Sequence, residues 1–417
     1  MEVAIAMITG EGMRWWRIGP VAVVAGRRWR IGPVVVAVER RWRKWPVVVA
    51  AGLAAACQTG GTVPAPTMPP LSSVAVESTP PGGTAPGSAA TSSPSPAPAE
   101  VTVTGVGDVI MGSTPDLPPD GGRGFFDAVR GQLRGDVVSG NVDAAITDAT
   151  VSTKCPPGSS QCYAFRFPST YARWLRGAGF TVLNLANNHS HDFGSTGLTD
   201  SQRALRRYGA QPTGLPGQVT VLPAGGLRVA VLGFAPYGWA QSLLDIPAAQ
   251  RLVRQAAAKA DLVVVNMHAG AEGVDRTHVR PGHELFLGED RGDPIAFAHA
   301  VIDAGADLVI GHGPHVLRGM EWYRGHLIAY SMGNFAGYHT LSAAGVLGRG
   351  GILRITLRAD GRFVRGDLVP TRMVDRGLPA LDPDRQAIGL VSALSTADFG
   401  RCAARLSAAG LLNPPAC

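Results

Sequence analysis

FTVLNLANNHSHDFG, Phe180 to Gly194, sets a short apolar strand directly ahead of a turn crowded with amide, imidazole and carboxylate groups. Val182, Leu183 and Leu185 fix the strand, so the polar triplet Asn187, Asn188 and His189 falls at its end. Three further segments repeat the pattern: GVGDVIMG (Gly105 to Gly112), VVVNMHAGAE (Val263 to Glu272) and GADLVIGHGPHV (Gly305 to Val316). In each, a β-branched run stops and Asp, Asn or His follows. Strands of one sheet that end this way can aim ligands at a common cation. One such end is commonly a turn or a helix cap; the series predicts a metal-centred site.

Outward from these segments, apolar strands alternate with amphipathic helices from about Val101 onward. Strands are expected over 101–106, 136–139, 180–185, 228–234, 262–266, 308–311 and 327–330, and helices over 125–134, 169–177, 198–208, 246–260 and 294–305. Ser169, Thr196 and Asp293 stand where N-caps belong, and Gly177, Gly209 and Gly305 where helices close. The rhythm predicts a layered α/β sandwich with its chemistry at the carboxyl ends of strands. Ile352–Leu357 and Arg362–Val369, split by ADG, read as a terminal hairpin.

The 417 residues carry a formal charge of +7, but nine Lys/Arg against three Asp/Glu fall in residues 1–57, which leaves 29 against 28 downstream, a net of +1. The basicity belongs to a leader, and no basic, aromatic-laced groove marks the body as a nucleic-acid binder. In that leader RRWRKW (Arg40 to Trp45) precedes an apolar run, Pro46 to Ala56, and then Cys57. The run is shorter than the ~20 residues needed to span a bilayer and suits a secretory signal. It resembles a bacterial lipoprotein signal, which implies a lipid on Cys57 and an exported protein anchored at the extracellular face of the membrane; an ordinary cleaved signal or an uncleaved anchor is the alternative. Basic segments starting at Arg14, Arg27 and Arg40 repeat at a period of thirteen, too short for the stacking units of repeat folds. Gln58 to Ala99 has ten prolines and Glu77 as its single charge, a composition expected to form a disordered tether. The chain thus divides into a leader (1–57), a tether (58–99), a catalytic-type body (100–372) and a C-terminal tail packed on that body (373–417). Four cysteines remain in the exported part, and nearness in sequence pairs Cys155 with Cys162 and Cys402 with Cys417.

Within the body, Asp108 projects from a strand end after Gly107, and GNVDAAIT supplies Asn141 and Asp143. Asp192 is placed to orient His189 through the second ring nitrogen. His268 ends LVVVNM, with Glu272 four residues on; the rigid Gly313–Pro314 turn can bring His312 and His315 to one side. Glu321 and Asn334 are read as rim residues, His191 as solvent-facing, and His278, His283, His299, His326 and His339 as surface or packing residues. Hard carboxylates with amide and imidazole suit Mn, Fe, Zn or Mg, and two adjacent ions of this kind can activate water and clamp a phosphoryl or carbonyl oxygen. An imidazole beside them can protonate a leaving group. The chemistry predicted is metal-assisted hydrolysis.

The ordered series GDVIMG, GNVDAAIT, NLANNHSHDFG, MHAGAE, GHGPHV and AYSMGNF resembles the CapA family of poly-γ-glutamate capsule synthesis proteins, over roughly Val101 to Val369. The resemblance implies a calcineurin-like metallophosphatase fold, an α/β sandwich with a di-metal centre at loop ends. It implies Asp108, Asp143, Asn188, His268, His312 and His315 as metal ligands, His189 as the acid/base, and Asn141 and Glu272 as supporting pocket residues. It further implies a partner that is an anionic polymer such as poly-γ-glutamate or a cell-envelope phosphoester, beside a capsule synthase complex. A non-catalytic export or anchoring factor and a general phosphodiesterase or nucleotidase are the alternative functions. The chain departs from the family pattern at Asp143, usually Glu, and at Ala269, usually Trp; Ile110 stands where ordinary phosphoesterases place a histidine.

Overall fold

Period-two alternation sorts the side chains of the body into layers. The computed structural model describes residues 4–9, 12–17, 99–152, 154–155, 159 and 162–415. The chain forms two compact units, Met1–Ala89 and Ala90–Cys417. In the first, the described residues make an antiparallel hairpin of Ala4–Thr9 and Gly12–Arg17. Cys57, residues 58–98 of the expected tether and Cys417 lie outside the described residues.

In the second unit one sheet contains β1 (Glu100–Ile110), β2 (Val137–Val142), β3 (Val182–Asn184) and β4 (Gln211–Thr213), all parallel. The other contains β5 (Thr220–Ala224), β6 (Leu227–Phe234), β7 (Leu262–His268), β8 (Leu308–His312), β9 (Met320–Tyr323) and β10 (His326–Ala329) in the order β9-β10-β8-β7-β6-β5. The first sheet continues through β11 (Asn334–Gly337), which pairs with β1, and through the antiparallel β12 (Arg349–Arg358), β13 (Phe363–Val374) and β14 (Leu378–Leu381). The sheets pack face to face: Val101 and Val103 of β1, Val137, Val182, Val229, Val264 and Ile310 share one buried cluster. The intervening residues face outward. Val138, Val142 and Leu183 pack with α1 (Ala172–Ala178) and α2 (Gly194–Arg207), while Val263, Val265 and Met267 pack with α3 (Ile246–Ala257) and α4 (Pro294–Asp303). The result is the layered α/β sandwich, helix–sheet–sheet–helix.

Local departures from the sequence reading have local causes. Residues 125–134 spend their helical spacing of Phe125, Phe126, Val129 and Leu133 on a chain of turns, with bonds such as Val129 N to Phe126 O, and Gly131 sits inside it. Thr196 lies within α2 rather than capping it, and α1 runs through Gly177 to close at Gly179. Asp293 does cap α4, accepting from Ala296 N at 2.9 Å, and Asp245 caps α3 in the same way. A boundary at residue 372 falls inside β13, whose pairing with β14 keeps residues up to Leu381 in the sheet. Beyond it α5 (Gln386–Phe399) contributes Ala387 and Val391 to the inter-sheet cluster. Cys155 and Cys162 are bonded with their Cα atoms 5.5 Å apart, and Cys402 is also disulfide-bonded.

Candidate metal centre

The inward face of each central strand begins apolar and ends polar. On β7 it reads Leu262, Val264, Asn266, His268; on β8, Leu308, Ile310, His312; on β2, Val137, Ser139, Asn141, continuing to Asp143. Parity alone would turn the last carboxylate of β1 outward. An irregularity in its pairing with β2 between Gly105 and Asp108 shifts the register, so Asp108 lies opposite Asn141 and faces inward. All these polar ends lie at the carboxyl edges of parallel strands, where such sheets place ligands.

Hydrogen bonds knit the inter-sheet polar layer. Asn141 Nδ2 donates to Asp108 Oδ1 at 2.8 Å, while its Oδ1 accepts from Asn184 Nδ2 at 2.8 Å and Asn187 Nδ2 at 3.0 Å. Ser139 Oγ donates to Asn266 Oδ1 at 3.2 Å, and His312 Nε2 lies 3.1 Å from the same oxygen. An acceptor at Asn266 places the His312 proton on Nε2, which leaves the Nδ1 lone pair free. That nitrogen is buried, has no hydrogen-bond partner and lies 4.0 Å from Asp108 Oδ1.

Asp108, Asp143 and His315 present ligand atoms within 4.8 Å of one another. His315 Nδ1 lies 2.9 Å from Asn334 Oδ1 and 3.2 Å from Asp108 Oδ2; its Nε2 lies 3.8 Å from Asp143 Oδ2 and 3.7 Å from Glu272 Oε2. Asn334 therefore holds the ring rather than lining a rim. The GHGPHV turn sets His315 at φ 59°, a strained left-handed conformation for a non-glycine residue. Both Asp143 carboxylate oxygens are buried without a hydrogen-bond partner, as is Asn188 Oδ1. A fully buried carboxylate with no N–H to accept from is costly in a native structure and natural for a cation ligand. With Asp108, His312 Nδ1 and His315, these donors fit a hard or borderline divalent ion.

The charges tell the same story. Burial raises Asp143 to about 6, reinforced by the charge of Asp108 and opposed by His189. Burial would also raise Asp108, but its hydrogen bond with His315 and the charges of His315, His312 and His268 hold it well below the usual carboxylate range. Burial would lower His315, yet the charge of Glu272 and the bond to Asp108 push it up to about 10. A proton on His315 thus stands between carboxylates where a cation would serve. Burial pulls His312 down to about 4, keeping it neutral.

His189 and Asp192 form the expected pair, with His189 Nδ1 2.7 Å from Asp192 Oδ2. Lys154 is an addition to it: Nζ donates to Asp192 Oδ1 at 2.5 Å and to Asn188 O at 3.1 Å, and lies 3.1 Å from His189 Nδ1. It stands next to Cys155, so the local disulfide ties its loop to the site; no motif in the sequence marked it. Lys154, Asn188, His189, Tyr237, Glu272 and Arg291 line a cavity of about 270 Å³. His191 stacks on Trp239 at 4.8 Å and is half-buried rather than solvent-facing. Glu321 is not at the site, since it bonds His299 Nε2 at 2.9 Å and Tyr330 Oη at 2.7 Å. His268 is buried nearby but outside the ligand cluster, its Nδ1 3.3 Å from Asn141 Nδ2 and its Nε2 3.1 Å from Arg291 Nη2. Arg291 too went unread in the sequence, being a lone arginine after a short hairpin.

A family model described as bacterial capsule synthesis protein PGA_cap matches residues 102–338. The capsule biosynthesis protein CapA of Bacillus anthracis is 30% identical over 259 residues, covering 57% of this chain and 59% of its own length. The PGA biosynthesis protein CapA of Bacillus subtilis is 29% identical over 253 residues, covering 55% and 61%. The chain therefore spans about three fifths of the length of these relatives. Among solved structures, the 5′-nucleotidase precursor of Thermus thermophilus is similar over 72% of this chain and 59% of that one, at 14% identity and a TM-score of 0.36.

Proposed function

The chain belongs to the bacterial capsule synthesis protein family, and on that footing we propose a surface-tethered accessory protein of capsule or poly-γ-glutamate biosynthesis whose body is a metal-dependent hydrolase. Its substrate is a cell-envelope polymer or phosphoester. The names of the two Bacillus relatives support the capsule role. The observation that carries the hydrolase reading is Asp143, whose two oxygens are buried without a hydrogen-bond partner beside Asp108 and His315.

Asp108, Asp143 and His315 would hold the ion, with Asn188 Oδ1 and His312 Nδ1 as further donors. A divalent cation bound there supplies the positive charge that polarises a substrate oxygen and stabilises the charge developing on it. The chain's own residues do the rest. Asp192 engages Nδ1 of His189, leaving Nε2 as the nitrogen that holds a proton for a leaving group. Lys154 fixes Asp192 in turn, and Lys154 with Arg291 gives the cavity two cationic side chains suited to an anionic substrate.

The test is elemental analysis of protein purified without chelators, joined to a hydrolysis screen over phosphodiesters and γ-glutamyl peptides. Metal-dependent turnover should fall roughly 10²–10⁴-fold in His189→Ala with metal content unchanged, the usual weight of a general acid. Asp143→Ala should lose the metal itself. Polymer binding without turnover under any divalent ion would sink the hydrolase reading in favour of an anchoring role, and cleavage confined to nucleotides would sink the capsule role.

A further inference from the structure

We infer that Arg291 fills the place of a second cation, so that the centre takes a single divalent ion and the guanidinium serves as its permanent partner charge. The inference rests on the metal-centre reading above and concerns how many ions that centre holds.

Arg291 is 1% exposed. Its backbone is fastened on both sides, the N–H donating to Glu284 O at 2.8 Å and the carbonyl accepting from Gly270 N at 3.0 Å. From there the guanidinium reaches the polar layer: Nη1 donates to Glu272 Oε1 at 2.8 Å and Nη2 to His268 Nε2 at 3.1 Å, with the group 5.9 Å above the Tyr237 ring. Glu272 and His268 are the carboxylate and imidazole that a second ion would need. Both are engaged by a group that carries five N–H donors, accepts nothing and keeps its charge at any working pH.

The donor geometry of His268 agrees. Arginine can only donate, so its bond takes the Nε2 lone pair and leaves the ring proton on Nδ1, which lies 3.3 Å from Asn141 Nδ2. His268 therefore offers an ion no open lone pair. A second dication beside Glu272 would lie against a buried positive charge in a low-dielectric layer, a repulsion too large to leave uncompensated. On the first-ion side the situation is reversed, with buried acceptor atoms of Asp143, Asn188 and His312 that nothing occupies. Arg291 Nε is also buried without a hydrogen-bond partner.

The experiment loads the chelator-treated full chain with Mn(II), removes free metal by desalting, and reads stoichiometry by elemental analysis and the electron paramagnetic resonance spectrum. One ion per chain with the hyperfine pattern of an isolated Mn(II) is expected. Arg291→Lys, which keeps the charge, should also hold one; Arg291→Ala should rise toward two and show the exchange-coupled spectrum of a manganese pair. Two coupled ions in the unmodified protein would overturn the inference while leaving the hydrolase reading intact, and this arm decides the matter even if Arg291→Ala does not fold. A folded Arg291→Ala that stays at one ion would overturn it as well. No bound ion in the unmodified protein would defeat the metal-centre reading itself.

Discussion

Asp143 and His315 lie 3.8 Å apart and depart from their ordinary titration in the same direction, both upward. For the metal-free protein the consequence for stability has a definite sign. A folded pKa raised above the unfolded value means the native state binds the extra proton, so stability falls as pH rises through the window between them. For Asp143 the contribution is complete below its ordinary 3.8 and is lost as pH passes about 6. For His315 it is complete below 6.5 and is lost as pH passes about 10. Asp108, lowered, contributes the opposite way: its stabilisation is present above 3.8 and disappears only in strong acid. Chelator-treated protein should therefore lose stability in two stages from mild acid to alkali, and Asp143→Asn should remove the first. Thermal melts across that range check this; parallel curves for the two proteins would exclude a buried carboxylate raised to about 6. Added Mn(II) should reverse the ranking, because an ion at about 100 times its Kd stabilises only the protein that binds it, by ~2.7 kcal/mol.

Among the elements, strand ends do the positioning and helices do the covering, and mutations should separate the two. Gly107 precedes Asp108 where β1 passes the backbone of Gly333, and a Cβ there would sit 1.8 Å from Gly333 O. Gly107→Ala must push the strand aside, costing ~1–3 kcal/mol as overpacking does, and should weaken metal binding because Asp108 moves with it. Asp245→Ala should cost ~1 kcal/mol by removing the cap of α3, with metal content unchanged. Equal effects on metal in both variants, measured by elemental analysis beside thermal melts, would contradict the division. The same division explains what could be read in advance. Apolar runs ending in Asp, Asn or His located all four of Asp108, Asp143, His312 and His315; strand parity carries the facing of His312 and Asp143, whereas Asp108 turns inward through a register irregularity and His315 through the turn that follows β8. Asn266 and Asn184 share that parity with His268 and Val182, and attention to alternate positions would have found them. Arg291 and Lys154 lie beyond parity: one follows an exposed hairpin, the other a disulfide-tied loop, and only tertiary contact brings them to the site. The helical spacing at Phe125–Arg134 misled because apolar spacing does not distinguish a helix from successive turns that bury the same face.

At the scale of the whole molecule, charge is spread unevenly along the chain. The leader holds nine Lys/Arg against three Asp/Glu, and the sequence after Cys57 balances to +1. If Cys57 carries the lipid, cleavage before it removes most of the positive charge, and the net charge of +1 that remains gives little general attraction to anionic lipid. Among the described residues no helix is long and apolar enough to cross a membrane. On the proposal that Cys57 is lipidated, the acyl chains hold the protein at the membrane, and the phase in which it is found should be insensitive to salt. The full chain should stay with membranes in both low and high salt, whereas Cys57→Ser should leave them in both, still folded and with metal content unchanged. Fractionation of cells expressing each form, followed by immunoblotting, reads the result. Release of Cys57→Ser only by high salt would show that the body holds on by charge, and retention in both conditions would show an uncleaved apolar anchor; either outcome removes the lipid from the account.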